Sequence, residues 1–495
     1  MSSAASANIT ACAWLNLKTI ACALLIAPSI FGQTLRSESF DQEPNWESIN
    51  SRSTAFPLRQ VTQDFGYSPG TSHAGGAAGE IGGTLNPAGE AAYYGDRLPK
   101  PLDLTSPLNA SGKIFVAPGP GHFLLGFFNA NTLNEWRTPN TLVLRINSRG
   151  ETWHCHLEYC SSQWRAEAGV VGEIIRGERL RQTEIPAGRV YNWNLKYFPP
   201  SGNDPAYFTL KLGDWTARCD IVPEHFQDGA VFTHFGILPI PKTWDSPGQA
   251  WLDDITINGV HFDFSSDPKW DSLNNRHYYV SADTRPRFDF GYSRTHFARG
   301  KNSGEIGGLI FRGDCREAAR MAAYGDRIGK LTLQNKLIAR GKVTLLRAIS
   351  DSAALIGFYN AEHSMKSNPS QNESIPSDFI GINIEGPSSE GFFFYPVYRA
   401  HTEGGGKALG QNGGKSPRIK PDAMPHDWTF TYDPAGANGN GQITVTLDEQ
   451  RCTMDLESGH KNLGASFDRF GICTTWIDGN SVTAYFDDLT YSCAP

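Results

Sequence analysis

The sequence holds only five methionines in 495 residues, and apolar residues at helical spacing are scarce. That scarcity argues against a helical protein. No run of lysine and arginine stands out and the formal net charge is −7. The chain therefore lacks the electrostatic footprint of a nucleic-acid binder or of a protein that sits on anionic membranes. No G-x-S-x-G elbow occurs, so serine-triad hydrolysis has no support. No Walker or Rossmann glycine pattern sits between a strand and a helix. No tight C-x-x-C pair occurs, which removes a zinc ribbon and a dithiol redox centre.

What is abundant points the other way. Fifty-one glycines, thirty prolines and 12% aromatic residues suit a turn-rich all-β protein. The length exceeds one ordinary core, so at least two domains are expected. "TLVLRIN", "YFTLKLGDW", "AWLDDITING", "QITVTLDEQ" and "VTAYFDDLTY" alternate apolar and polar residues with period two. "PPSGNDP", "DPAGANGNGQ" and "IDGNS" read as the turns between them. Only "DCREAARMAAYGD" reads as a short helix. "MKSNPSQNESIPS" and "TEGGGKALGQNGGKSPR" read as long polar loops.

The beginning reads as an export signal. Lys18 precedes the apolar run "TIACALLIAPSIFG", and cleavage is expected near Gly32 or Gln33. Cys22 follows "LKTIA", a poor lipobox, so lipidation is not favoured. The expected location is secreted, periplasmic or cell-surface, with no membrane span after cleavage. Cys155, Cys160, Cys219, Cys315, Cys452, Cys473 and Cys493 remain. Seven is odd, so at least one stays a thiol. They read as buried small hydrophobes, with room for one or two disulfides.

The strongest signal is a repeat. "FDQEPNWESINSRS" from Phe40 returns as "FSSDPKWDSLNNRH" from Phe264. "DFGYS", "GEIGG" and "YGDRL" return as "DFGYS", "GEIGG" and "YGDRI". "GFFNA", "NWNLKY" and "HFGI" return as "GFYNA", "DWTFTY" and "RFGI". "WLDDITING" returns as "YFDDLTYSC". The order never changes, and the offset is 225 between Glu80 and Glu305 and 234 between Asp254 and Asp488. A domain-sized period implies two antiparallel β-sandwiches in tandem. The division expected is a signal over 1–33, one copy over 34–260 and a second over 261–495.

The opening "FDxxPxW" and the closing aromatic-"DDIT" strand resemble exported bacterial domains of the concanavalin A-like lectin/glucanase and laminin G-like superfamily. The resemblance implies a jelly-roll sandwich in each copy and covers nearly the whole mature chain. That fold hosts lectins, glycosidases and lyases alike, so it does not by itself assign a function. The E-x-D-x-x-E strand of its glycosidases is absent. "RGERLR", 176–181, lacks the spacing of the R-x-E-x-R motif of the lyases. An aspartate on the final strand of such modules often helps hold calcium, which makes Asp254 and Asp488 the calcium candidates.

The residues themselves offer three further candidate groups. Glu80, Tyr94, Arg97 and His225, with Glu305, Tyr324, Arg327 and His460, form a repeated polar set. It could be an acid/base site with an arginine for an anionic group. It could equally hold the sandwich together, with Glu80 paired to Arg97 and Glu305 to Arg327. The structural role is the expectation favoured here. In "WHCHLEYCSSQWR", His154, His156 and Glu158 share a strand face. That face could ligate zinc or, with Trp136, Arg137, Trp164 and Arg165, bind a sugar. Tyr395, Tyr398, Arg399 and His401 occupy the corresponding stretch of the second copy. The leading expectation is a noncatalytic protein that binds a polysaccharide or other glycan. The rivals are a polysaccharide hydrolase or lyase using Glu80 or Glu305, and a purely structural surface protein.

Overall fold

The computed structural model describes residues 34–53, 58–133, 138–171, 173–176, 179–242, 246–281, 284–285, 287–349, 351–369, 373–406 and 416–495, with the side chains of 173–182 and 387 outside the description. The export signal expected over 1–33 lies outside the described residues. Every ladder between named strands is antiparallel, and the strands assemble into four large sheets. Pro223–Asp228 is the one α-helix among the described residues. The short helix expected in "DCREAARMAAYGD" reduces to a single 3-10 turn at Ala318–Arg320. Its second half joins a strand, Ala323–Thr332, whose ladder with Ser466–Cys473 outweighs local helix preference. No helix among the described residues is long and apolar enough to cross a membrane.

Two sheets enclose each of two main cores. The first core runs from Phe65 to Trp270 and is rich in Phe, Leu and Trp. The second runs from Phe288 to Cys493 and also contains Phe40 and Trp46. Strand alternation explains both. In Val190–Phe198 the residues Trp193, Leu195 and Tyr197 face in, while Asn194 and Lys196 face out. The seven described cysteines are buried small hydrophobes and no disulfide joins them.

Strand pairing divides the chain differently from the sequence repeat. After Gly248–Ile257 the chain turns at Asn258-Gly259, both at positive φ, and Val260–Phe262 folds back onto the same strand. Positive φ at both central residues is what a tight hairpin turn needs. Asp271–Leu273 then pairs with Tyr93–Asp103, and Arg276–Ser281 with Arg59–Ser68. The opening words of the second copy thus complete the first sandwich. The opening words of the first copy complete the second: Thr34–Glu38 pairs with Ser481–Cys493, and Glu47–Ile49 with Ala323–Thr332. By pairing, the first sandwich comprises roughly residues 59–281, and the second residues 289–495 with 34–52 added.

Candidate functional site

The repeated polar residues sit along these two closures. Glu80 and Glu305 are fully buried. Glu80 accepts from the backbone N–H of His73 at 2.9 Å and of Ala74 at 2.8 Å. Glu305 accepts from Phe297 at 2.9 Å and Ala298 at 2.8 Å. Glu80 also contacts His73 Nδ1 at 2.7 Å, and each carboxylate replaces its lost hydration with these partners and ties down the loop before its own strand. Gly79 and Gly304, at φ +117 and +118, admit the carbonyls of Phe264 and Phe40, which a Cβ at either position would overlap.

The ion pairs expected between Glu80 and Arg97 and between Glu305 and Arg327 do not form. Arg97 donates to Asp271 at 2.8 Å and Arg327 to Glu47 at 2.9 Å, each on the incoming segment. Both arginines are 73% exposed, because they alternate outward while the glutamates point in. Arg97 holds Asp271 down at about 2. Tyr94 lies 5.8 Å from Trp270 and Tyr324 5.8 Å from Trp46, and burial raises both phenols to about 12. His225 is hydrogen-bonded to Tyr159 at 2.9 Å, and His460 to Tyr398 at 2.9 Å. The repeated set is therefore dispersed through cores and seams, and does not converge on one cleft.

The copy-one aromatic stretch also lands elsewhere than expected. Trp164 packs on Phe392 of the second sandwich at 6.4 Å. Arg165 forms a bidentate pair with Asp228, 2.6 Å on both oxygens, and Ala166 donates to the Ser389 carbonyl at 2.8 Å. Trp164 and Ala166 thus reach the second sandwich, and Arg165 lies 3.7 Å from its Glu390, so this stretch lies at the junction of the two. Glu158 is buried and accepts from Arg145 at 3.0 Å. Burial and the neighbouring Arg145 hold His156 down at about 3, so its imidazole stays neutral. His154, half-buried, lies 3.3 Å from the Thr183 carbonyl. Trp136 and Arg137 lie outside the described residues. Tyr395 is buried against Glu385 and Asn383, and Tyr398 is buried as well.

The final-strand aspartates sit at an irregularity in each strand, with Asp254 and Asp488 at positive φ, and the first member of each pair is buried beneath a loop, beside Gly76 and Gly300. Asp253 and Asp487 are buried, and each accepts from the next residue's N–H. Asp254 faces out to Lys113 at 2.5 Å, and Asp488 accepts from the Lys301 N–H at 2.9 Å. One oxygen of Asp487 has no hydrogen-bond partner, and burial raises its carboxyl to about 7.

Two features remain that closure of the fold does not require. The first is the outer face of the strands Val190–Phe198, Tyr207–Leu212 and Trp215–Asp220. Register sets three rows across it: Asn194, Lys211 and Thr216; then Lys196, Thr209 and Arg218; then Phe198, Tyr207 and Asp220. Phe198 and Tyr207 stack at 4.8 Å, and Arg218 lies over the Tyr207 ring at 3.8 Å. A groove of about 880 Å³ runs along the first two rows and is closed on one side by Ala168–Val170. The matching strands of the second sandwich place Thr429, Thr431 and Asp433 where the first has Asn194, Lys196 and Phe198. Gln442, Thr444 and Thr446 stand in place of Tyr207, Thr209 and Lys211. The third strand, Gln450–Asp455, sets Arg451, Thr453 and Asp455 where the first has Thr216, Arg218 and Asp220, so the stacked aromatic pair and the two lysines belong to one sandwich while each face carries an arginine.

The second feature is a cleft of about 480 Å³ in the second sandwich, lined by His363, Lys366, Asn368, Arg399, His401 and Trp476. Arg399 and His401 are the expected ligand residues found there, the Arg399 guanidinium 5.1 Å from the Trp476 ring centre. Sequence reading missed the rest because these residues come from loops far apart in sequence. The signal available was the difference between the copies, not their likeness.

No protein family matches the chain, and no curated protein is similar to it in sequence. Among solved structures, domains LG4-5 of the mouse laminin alpha1 chain align at 10% identity over 87% of this chain and 94% of that one, with a TM-score of 0.23. The Emp47p carbohydrate recognition domain aligns at 9% over 44% of this chain and 90% of its own, with a TM-score of 0.27. A GH43 protein from Bacillus licheniformis aligns at 10% over 76% of this chain and 74% of its own, with a TM-score of 0.24. The architecture given above rests on the strand ladders themselves.

Proposed function

We propose that this chain is an exported glycan-binding protein whose binding face is the outer surface of Val190–Phe198, Tyr207–Leu212 and Trp215–Asp220. One observation carries the reading: the stacked Phe198–Tyr207 pair beside Lys196, Lys211 and Arg218, on one sandwich and not on the other. An aromatic surface suits the apolar faces of pyranose rings, while Asn194, Thr209 and Thr216 suit their hydroxyls. The lysines favour a glycan with carboxylate or sulfate groups. Glu80 and Glu305 are fully buried and accept from backbone donors, Glu80 also contacting the His73 imidazole at 2.7 Å, and this favours the loop-clamp reading over the rival enzyme reading. Binding to neutral and anionic polysaccharides by wild type and Tyr207→Ala tests the proposal.

We propose a structural calcium at the final-strand aspartates, Asp254 and Asp488, with their buried neighbours Asp253 and Asp487 as further donors. Its support is the unpartnered Asp487 oxygen, a hard donor of the type calcium takes. A thermal midpoint raised by calcium and lowered by chelator in wild type, but unchanged in Asp487→Asn, is the expected outcome.

A further inference from the structure

We propose that His363, Asp378 and His401 form a binding site for a divalent transition metal such as zinc, with an open coordination position facing the 480 Å³ cleft. This site is independent of the glycan-binding face on the other sandwich.

The fold brings the three residues together at one sheet end. His363 follows the strand Ser352–Tyr359, Asp378 directly precedes Phe379–Ser388, and His401 directly follows Gly391–Ala400. Phe379 pairs with both Tyr359 and Arg399, so the three connections emerge side by side. His363 Nδ1 lies 2.6 Å from Asp378 Oδ2, and His401 Nδ1 lies 3.5 Å from Asp378 Oδ1. One donor atom from each residue falls within 4.8 Å of the others. A tetrahedral zinc with ligands at about 2.0–2.2 Å sets its donors about 3.3–3.6 Å apart. The longest edge therefore closes by about 1 Å, within reach of two part-exposed imidazoles on their side-chain torsions.

A second observation points to a cation ligand. Asp378 is fully buried, yet its Oδ1 makes no hydrogen bond and is aimed at His401. A buried carboxylate oxygen left so is costly unless a cation completes it. Asp378 and His401 sit at positive φ, 53 and 61, and Asn140 shares that conformation at 61, so the turn before the strand is a property of the fold and the carboxylate is what the second sandwich adds. Ser364 Oγ donates to the Ser377 carbonyl at 2.6 Å, Ser377 Oγ to the His401 carbonyl at 2.6 Å, and Trp476 Nε1 to the Ser364 carbonyl at 2.8 Å. The first sandwich closes the same sheet end with Asn140 directly before Thr141–Gly150, where the second has Asp378. The fold therefore does not need a carboxylate there. Two imidazoles and one carboxylate form a donor set that zinc accepts, and three protein ligands leave a fourth position for water or an oxygen anion. Lys366 and Asn368 line the cleft beside it.

The test is cobalt(II) titration of the full chain, purified without an affinity tag and stripped by chelator. The expected result is a saturable visible d–d spectrum at one cobalt per chain, abolished by one equivalent of zinc. Affinity should fall more than about tenfold in His401→Gln and in Asp378→Asn, and hold in His277→Gln, a histidine on the first sandwich. His401 is half exposed, so His401→Gln keeps its fold even where Asp378→Asn does not. Absence of one-to-one binding in wild type, or unchanged affinity in His401→Gln, overturns the proposal.

Discussion

Arg52, from the first copy of the repeat, donates to Asp289 of the second at 2.8 Å. Its counterpart Arg276, from the second copy, lies 3.7 Å from Asp64 of the first. Arg52 also reaches the Tyr292 carbonyl at 2.5 Å, and Arg276 the Tyr67 carbonyl at 2.5 Å. Each sandwich is thus sealed by the opening words of the other copy, and the second is closed by the N-terminal end of the described chain. These pairs are exposed and contribute little alone. The aromatic anchors beside them contribute far more.

Trp46→Ala should therefore destabilise the second sandwich, although Trp46 is followed in sequence by the first. Truncation of a buried tryptophan costs about 3–5 kcal/mol. Hydrogen exchange should show lost protection in 289–493 with little change in 59–281. Trp270→Ala should give the reverse.

Glu305→Gln keeps the shape of the clamp but turns an amide toward the backbone donors of Phe297 or Ala298. An unsatisfied buried donor costs about 1–3 kcal/mol. Chemical denaturation should register that loss, while glycan retention by the folded variant should stay at the wild-type level.

Asp487 carries a pH dependence of definite sign. Its carboxyl is raised from 3.8 to about 7, chiefly by burial. The fold favours the protonated form, so its stabilising contribution is complete below pH 3.8 and is lost as pH rises through 7. In calcium-free buffer the thermal midpoint of wild type should fall, relative to Asp487→Asn, between about pH 4 and pH 7. A constant difference across that range would contradict the burial account.

Much of the fold was legible in period-two alternation, because strands such as Val190–Phe198 must turn Trp193, Leu195 and Tyr197 inward. The repeat located the clamps and seams as well, since both copies need Glu80 and Glu305 in the same place. The partners were not legible. Arg97 and Glu80 are near in sequence, but only the ladder between Tyr93–Asp103 and Asp271–Leu273 reveals that Asp271 takes the arginine. Trp164 read as an exposed sugar platform because sequence does not show that the second sandwich packs over it. The proposed binding face is not legible for a related reason: Lys196 and Tyr207 lie on adjacent strands and share a surface only once register is known. Likeness between the copies marked what holds the fold, and difference between them marked Phe198, Tyr207, His363 and Asp378.

The most direct test of the glycan-binding account is affinity electrophoresis of wild type, Tyr207→Ala and the Lys196→Ala/Lys211→Ala double variant through gels containing neutral, uronate-rich or sulfated polysaccharides. The account predicts that an anionic glycan retards wild type, that retardation falls at least about tenfold in affinity in both variants, and that no product is released. Equal retardation of all three proteins, or no retardation of wild type by any glycan tried, would contradict it.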